Sequence, residues 1–208
     1  MKKFFWTLAV LLIMSAVSMA QVGTPSSPLS FYAGGALSMP TSPAGFSDGW
    51  KLGMHGMIGA GKNVSPRLQM IGKLEYHKFS ADAAATTANF GSPNVDGGAI
   101  STWMYGVDGR INLGAPVVPI KPFALVGLGI ANLSFNEYTT TDTSLSSAVA
   151  TANTGAISMS KVYFNVGGGV EFAMGPKTSF FVQARYVSIA TEGGSTTFIP
   201  VTLGLKLF

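Results

Sequence analysis

The stretch ISTWMYGVDGRINL, residues 100–113, alternates between two kinds of side chain. One set of alternate positions is mostly large and apolar and includes Trp103 and Tyr105, whereas the positions between them carry Asp108 and Arg110. Because successive side chains of a β-strand point to opposite faces, a period of two places the two sets on opposite sides of a sheet. The stretch therefore predicts a strand with one apolar face and one polar, charged face.

The same alternation recurs along most of the chain. We identify eight segments of this kind: Leu29–Met39, Trp50–Gly61, Arg67–Phe79, Ile100–Leu113, Lys121–Asn136, Ser158–Ala173, Thr178–Ala190 and Thr197–Phe208. Three connections are short or compact, namely Lys62–Pro66, Gly114–Ile120 and Met174–Lys177. The others are longer or more irregular, namely Pro40–Gly49, Ser80–Ala99, Glu137–Ile157 and Thr191–Thr196.

This arrangement of connections is typical of a barrel that crosses an outer membrane, with short turns at one end and longer loops at the other. We therefore predict an all-β fold, an eight-stranded antiparallel up-and-down transmembrane β-barrel. The two longest loops are rich in Ser, Thr and Ala, and we expect them to be exposed and mobile.

The polar faces carry charges of both signs in the middle of the predicted strands. Mixed charges suit a narrow lumen, where carboxylates and guanidinium groups can pair, because an unpaired buried charge is costly. We predict a polar network in the lumen formed by Lys73, Glu75, His77, Asp108, Arg110, Asn165, Glu171, Gln183 and Arg185. The apolar faces carry almost no charge between their ends, as expected of a lipid-facing surface, where a central Arg or Lys costs about 2–4 kcal/mol.

Four aromatic residues on the apolar faces lie near the strand ends that join the longer loops: Trp50, Tyr76, Trp103 and Tyr105. Trp and Tyr favour the membrane–water interface because an apolar ring and a polar tip suit that boundary. We predict that these four residues form an aromatic belt. The alternative is a soluble barrel with its apolar face inside, which would need charged residues across its outer surface.

The composition supports a membrane protein. Charged residues make up 11% of the chain, against about 25% in an average soluble domain, and hydrophobic residues make up 47%. The chain has no cysteine, so it has no disulfide and no thiolate metal site. Its net charge of +4 falls to +2 without Lys2 and Lys3, which is too small to indicate nucleic-acid binding.

The first twenty residues have the pattern of a secretory signal peptide. Lys2 and Lys3 precede the apolar run Phe4–Met14, and the small residues Ser18 and Ala20 define a cleavage site. We predict that residues 1–20 are removed, that residues 21–208 form the barrel domain, and that the product is exported to the outer membrane.

Four segments of this chain are similar to a known family: Lys121–Gly129, Val166–Phe172, Phe181–Tyr186 and the ending Pro200–Phe208. On these residues the chain resembles the outer-membrane β-barrel domain proteins of the small OmpA/OmpX type, from about Leu29 to Phe208. The resemblance implies that the barrel-assembly machinery reads the C-terminal aromatic residue. Phe208 is one residue out of phase with the apolar positions of the last segment, which end at Leu207.

No catalytic constellation is evident, and we predict no enzyme activity, no cofactor and no metal site. His55 and His77 are the two histidines, both on inward faces, and no third metal ligand accompanies them. We predict a structural or surface-interaction role, with outer-membrane lipid, lipopolysaccharide and the assembly machinery as partners and an unidentified surface ligand. The alternative is a narrow channel, although we expect the network, with Lys51, Tyr163 and Lys206, largely to fill the lumen.

Overall fold

The structure, a computed structural model, describes residues 29–114, 120–153, 158–191 and 194–208. The predicted signal peptide and the first residues of the predicted mature domain lie outside this part of the chain. Ten strands are present in it: β1 (Ser30–Ser42), β2 (Gly53–Asn63), β3 (Leu68–Phe79), β4 (Val95–Gly97), β5 (Ile100–Asn112), β6 (Ile120–Phe135), β7 (Tyr138–Thr140), β8 (Met159–Ala173), β9 (Thr178–Thr191) and β10 (Gly194–Leu207).

Eight of these strands close into an antiparallel barrel, and β4 pairs with β7 outside it. Each barrel strand pairs with the barrel strands before and after it in the chain. The last strand, β10, pairs with the first, β1, in a ladder in which Phe31 faces Leu207 at one end and Ser42 faces Thr197 at the other. This topology confirms the predicted eight-stranded up-and-down barrel. Among the described residues, no helix is long and apolar enough to cross a membrane.

The two faces of the barrel wall differ sharply in chemistry. Large apolar side chains are exposed on the outside, including Met54, Leu128 and Phe164. Polar and charged side chains are buried inside, including Glu75 and Arg185. An apolar band of this extent is unfavourable in water and suits the hydrocarbon of a bilayer. The predicted assignment of the apolar faces to the outside therefore agrees with the structure.

The strand boundaries differ from prediction mainly at the ends that carry the longer loops. β1 continues to Ser42, because a register shift between Pro40 and Ser42 lets its end pair with Thr197 of β10. β2 begins at Gly53, because Trp50 makes only an isolated bridge with Ala81. The alternation in sequence cannot show either feature, because each depends on contacts with a distant segment.

The longer loops contain regular structure, which the sequence did not reveal. Helix α1 (Ala44–Gly49) follows β1, α2 (Ala83–Phe90) follows β3, and a turn of 3₁₀-helix (Thr143–Leu145) leads into α3 (Ser146–Asn153). The Asp82 carboxylate caps α2 by accepting hydrogen bonds from the backbone N–H groups of Ala84 and Ala85. Helices of six to eight residues are too short to leave a clear periodic pattern.

Two glycines facing each other inside the wall make room for a large ring. Gly106 of β5 pairs with Gly129 of β6, and Tyr163 of β8 lies beside both. A Cβ atom on Gly129 would lie 2.2 Å from the carbonyl oxygen of Tyr105 and 2.7 Å from the Tyr163 ring. Any side chain at Gly129 would therefore force the two strands or the ring to move.

We expect Gly129→Ala to lower the free energy of unfolding by about 1–3 kcal/mol, the usual cost of overpacking a filled interior. The matched control is Gly72→Ala, at an outward position where the nearest atom to an added Cβ is 3.9 Å away. Urea unfolding of both variants in lipid vesicles measures the difference. Equal stability of the two variants would contradict the close approach at Gly129.

Candidate functional site

The middle of the lumen holds a buried ionic cluster with balanced charge. The Arg185 guanidinium of β9 makes a two-pronged ion pair with Glu75 of β3, with 3.2 Å between Nη1 and Oε2. Lys73 Nζ lies 2.8 Å from Asp108 Oδ2 and 3.5 Å from Glu75 Oε2. Asn165 Nδ2 donates to Asp108 Oδ1 at 3.0 Å. Two cations and two anions therefore neutralise each other away from water, which a buried charge requires.

A second ionic group lies nearer the short turns. Arg110 pairs with Glu171, and Lys206 Nζ lies 3.4 Å from both carboxylate oxygens of Glu171. The Arg110 guanidinium also lies 3.7 Å above the ring centre of Phe123. Two cations share one carboxylate here, and the aromatic ring adds a favourable cation–π contact for Arg110.

The two histidines are stacked between the central ionic cluster and the outer end of the lumen. The rings of His55 and His77 lie 4.9 Å apart, and Ser38 Oγ is 3.1 and 2.9 Å from their Nδ1 atoms. His55 Nε2 lies 2.9 Å from Thr202 Oγ1, and His77 Nε2 lies 3.8 Å from Glu75 Oε2. Within the described residues no group of three His, Cys, Asp or Glu side chains could hold a metal ion.

Apolar side chains fill much of the lumen around and beyond the ions. The inner apolar cluster, at the end with the short turns, consists of Tyr32, Met57, Ile71, Phe123, Leu125 and Phe181. The outer apolar cluster, toward the longer loops, consists of Phe46, Phe79, Ile100, Met104, Ala131, Leu133, Tyr163, Val187, Ile189 and Phe198. Both clusters are buried, so side chains that pack against one another occupy the lumen from the short turns up to its outer mouth.

A cavity of about 490 Å³, the mouth pocket, lies above the outer apolar cluster. It is lined by Pro43, Gly45, Phe46, Trp50, Phe79, Ile100, Thr102, Leu133, Phe135, Met159, Ile189, Thr191, Thr196 and Phe198. These residues come from α1, its flanks and the loop-bearing ends of the barrel strands. Phe46 of α1 reaches into the barrel, and its ring lies 5.2 Å from that of Phe79.

All nine residues of the predicted polar network lie inside the barrel and are buried. The structure joins seven of them directly in the two ionic groups and the Asn165 contact. His77 reaches the central group through Glu75, and Gln183 Nε2 instead lies 3.6 Å from Met57 Sδ. The inward residues Ser38 and Thr202 bond the histidines and were missed, although the alternation of their strands could have identified them.

Three of the four predicted belt residues lie outside the barrel wall. The rings of Tyr76 and Trp103 are 4.8 Å apart, and Asn132 Nδ2 donates to the Tyr105 hydroxyl at 3.3 Å. Trp50 is different, because its indole N–H donates to the Gly98 carbonyl at 2.7 Å and its ring lines the mouth pocket. Trp50 precedes the first residue of β2 and so does not share the outward register of that strand.

One residue expected to help fill the lumen lies elsewhere. The Lys51 side chain is 57% exposed, and its Nζ pairs with Asp82 at 3.8 Å. The reason is the same as for Trp50, since both residues lie in the chain between the end of α1 and the start of β2 and do not share the alternation of that strand. Tyr163 and Lys206, in contrast, are buried inside.

A closed barrel with an apolar outside and a charge-filled inside defines the class of small transmembrane β-barrels of outer membranes. The sequence matches the outer membrane protein beta-barrel domain over residues 7–206, and the chain belongs to this family. The protein is therefore an outer-membrane β-barrel protein.

Solved structures of other outer-membrane proteins are similar to this one. Neisserial surface protein A is similar with a TM-score of 0.59 and 16% identity over 88% of this chain and 99% of that one. A major outer membrane protein of Thermus thermophilus is similar with a TM-score of 0.53 and 8% identity over 87% and 99%. Ail, the attachment invasion locus protein of Yersinia pestis, has a TM-score of 0.48 and 15% identity over 86% and 97%. No curated protein sequence matches the chain significantly.

We expect Glu75→Gln to lower the free energy of unfolding by about 3–5 kcal/mol, because it leaves Arg185 buried without its carboxylate. The control is Lys51→Gln, which removes an exposed ion pair and should change stability by less than about 1 kcal/mol. Urea unfolding in lipid vesicles measures both. The double variant Glu75→Gln/Arg185→Gln should recover part of the loss, and a loss that simply adds would contradict direct pairing.

Proposed function

We propose that the protein is a non-catalytic barrel with a structural or surface-interaction role, in which the filled wall anchors an ordered outer surface. The observation that carries this proposal is that the two longest loops pack against each other. β4, from the first loop, pairs with β7, from the second. We call the segments 83–97 and 138–153 together the outer platform.

Side chains reinforce the outer platform. Asn153 of α3 accepts from the Tyr138 backbone N–H at 2.7 Å and donates to the Tyr138 carbonyl at 2.8 Å. The rings of Phe90 and Tyr138 lie 5.2 Å apart, which ties α2 to β7. A preformed surface loses less conformational entropy on binding than a disordered loop does, and this supports a role in recognition.

Two acidic side chains at the outer end of the barrel are held in their charged form by local hydrogen bonds. Backbone N–H groups of Ala84 and Ala85 lower the pKa of Asp82, and the hydroxyl and N–H of Ser144 lower the pKa of Asp142. Both carboxylates therefore stay charged at neutral pH. We propose that these groups contact divalent cations held by lipopolysaccharide, that membrane lipid covers the outward apolar band, and that the assembly machinery receives β10.

Three residues inside the barrel resemble a catalytic triad, but two observations oppose an enzyme. Ser38, His77 and Glu75 lie in line, in the order of a nucleophile, a base and an orienting acid. All three are fully buried, and Phe79 and Phe198 lie against the His77 ring on the side of the mouth pocket. A substrate carbonyl could not reach Ser38 without opening that layer, and Glu75 is already paired with Arg185.

The rival to this proposal is a narrow channel, which the charged side chains inside the lumen favour. We expect purified protein in planar bilayers to give no steady conductance, because the ionic groups and both apolar clusters fill the interior. A steady conductance whose ion selectivity changes in Arg185→Gln would contradict a filled lumen and support the channel. A known porin reconstituted in the same way is the positive control.

We expect Asn153→Ala to loosen the outer platform without unfolding the barrel. Loss of two hydrogen bonds of about 1 kcal/mol each should raise the rate of proteolysis of the loops on intact cells roughly thirtyfold. The control is Asn89→Ala, at an exposed position of α2. Equal cleavage of the two variants would indicate that the loops do not form a platform in the membrane.

A further inference from the structure

The mouth pocket has an almost entirely apolar lining, which neither a structural role nor the outer platform requires. None of the described residues that line it is ionisable, and their polar side-chain groups are the hydroxyls of Thr102, Thr191 and Thr196 together with the Trp50 indole N–H, which is already bonded to Gly98. The rest of the lining is aromatic, aliphatic, Met, Pro or Gly. We propose that the mouth pocket binds the hydrocarbon chain of a single-chain amphiphile that reaches the barrel from outside the cell.

The floor of the pocket separates it from the ions below. Phe79, Phe198 and Ile189 are almost completely buried and lie at the base of the cavity. The Phe198 ring lies 5.0 Å from the His77 ring, so the histidines begin directly beneath this layer. A ligand in the pocket therefore meets apolar side chains and does not reach the charged cluster.

The chemistry of the lining selects an uncharged, apolar occupant. A charged or strongly polar group buried here would lose its hydration without gaining a charged partner, which is costly. A volume of about 490 Å³ is within the usual range for small-molecule sites, which are mostly apolar with a few polar groups. A hydrocarbon chain meets these conditions, and its polar end can remain at the rim with the threonine hydroxyls.

The position of the pocket sets the side of entry. Its rim is built by α1 and by the strand ends that carry the longer loops, which is the outer side of the barrel. Pro43 and Gly45 at this rim are exposed, and an added Cβ at Gly45 would meet no atom within 4 Å. The pocket is therefore open toward the medium beside α1.

Tryptophan fluorescence can report occupancy directly. The chain has three tryptophans, so Trp6→Phe/Trp103→Phe leaves Trp50 in the pocket as the single fluorophore, whereas Trp6→Phe/Trp50→Phe leaves Trp103 on the lipid face. The probe is a fatty alcohol with a terminal bromine, which quenches indole emission on contact, and the protein is in detergent-free phospholipid vesicles. We expect saturable quenching of Trp50 that excess n-decanol reverses. Quenching of Trp103 should rise linearly with probe in the membrane.

Two glycines of α1 supply matched variants for the pocket itself. Gly45→Phe places a ring at the pocket, whereas Gly49→Phe adds the same ring at a position of α1 that does not line it; both sites have room for a Cβ. In the Trp50 reporter we expect Gly45→Phe to weaken binding about tenfold or more, the effect of displacing two methylene groups from an apolar site. Gly49→Phe should leave binding unchanged. Unaltered mobility of both unboiled barrels in gels would show that each variant folds.

Two outcomes would overturn the proposal. In the first, quenching of Trp50 rises linearly, as for Trp103, and does not change in Gly45→Phe. This result would mean that the probe only dissolves in the bilayer. Quenching of Trp50 by vesicle phospholipids with brominated chains, before any alcohol is added, would mean that membrane lipid fills the pocket, so that the ligand does not come from outside.

Discussion

Pairing between the first and last strands is the constraint on which the rest of this structure depends. Hydrocarbon offers no partner for a backbone N–H or carbonyl group, so a sheet can cross a membrane only if it has no free edge. The ladder between β1 and β10, in which Phe31 faces Leu207 at one end and Ser42 faces Thr197 at the other, removes that edge. With only eight strands, closure leaves an interior about as wide as the side chains that project into it. Every inward side chain must therefore pack against the side chains across the lumen and provide partners for their polar and charged groups.

The placement of charge follows from closure. Arg and Lys cannot face the middle of the lipid layer cheaply, so charges of the central strand segments must point inward and pair with one another. Glu75 meets Arg185 and Lys73 meets Asp108 for this reason, and each pair joins different strands. Space is provided by small residues, as where Gly129 admits the Tyr163 ring. The low charge content of the chain and its balanced core have the same origin.

Much of the barrel wall could be predicted, because a strand with lipid on one face and polar side chains on the other keeps a sequence period of two. The alternation around Asp108 and Arg110 gave both the strand and its inward face. Which charges meet could not be predicted, because Glu75 and Arg185 are joined only through the combined register of several strand pairs. Trp50 was misplaced for a different reason. Its position depends on α1, a six-residue helix that is stabilised by the burial of Phe46. No local sequence pattern predicts that Phe46 packs against the barrel interior.

The two ends of the lumen are built on different principles, and closure alone does not explain the difference. Near the short turns, Lys206, Arg110 and Glu171 bring charge almost to the end of the barrel. At the outer end, most residues above His77 are apolar, although the strand ends there approach water and positions such as Thr102 accept a polar side chain. The lining residues at the base of the cavity are buried by the barrel's own packing and stabilise the fold, whereas the large apolar side chains at its mouth are only partly buried and contribute less to folding. The apolar character of the mouth is therefore better accounted for by something that enters the cavity than by the stability of the empty barrel.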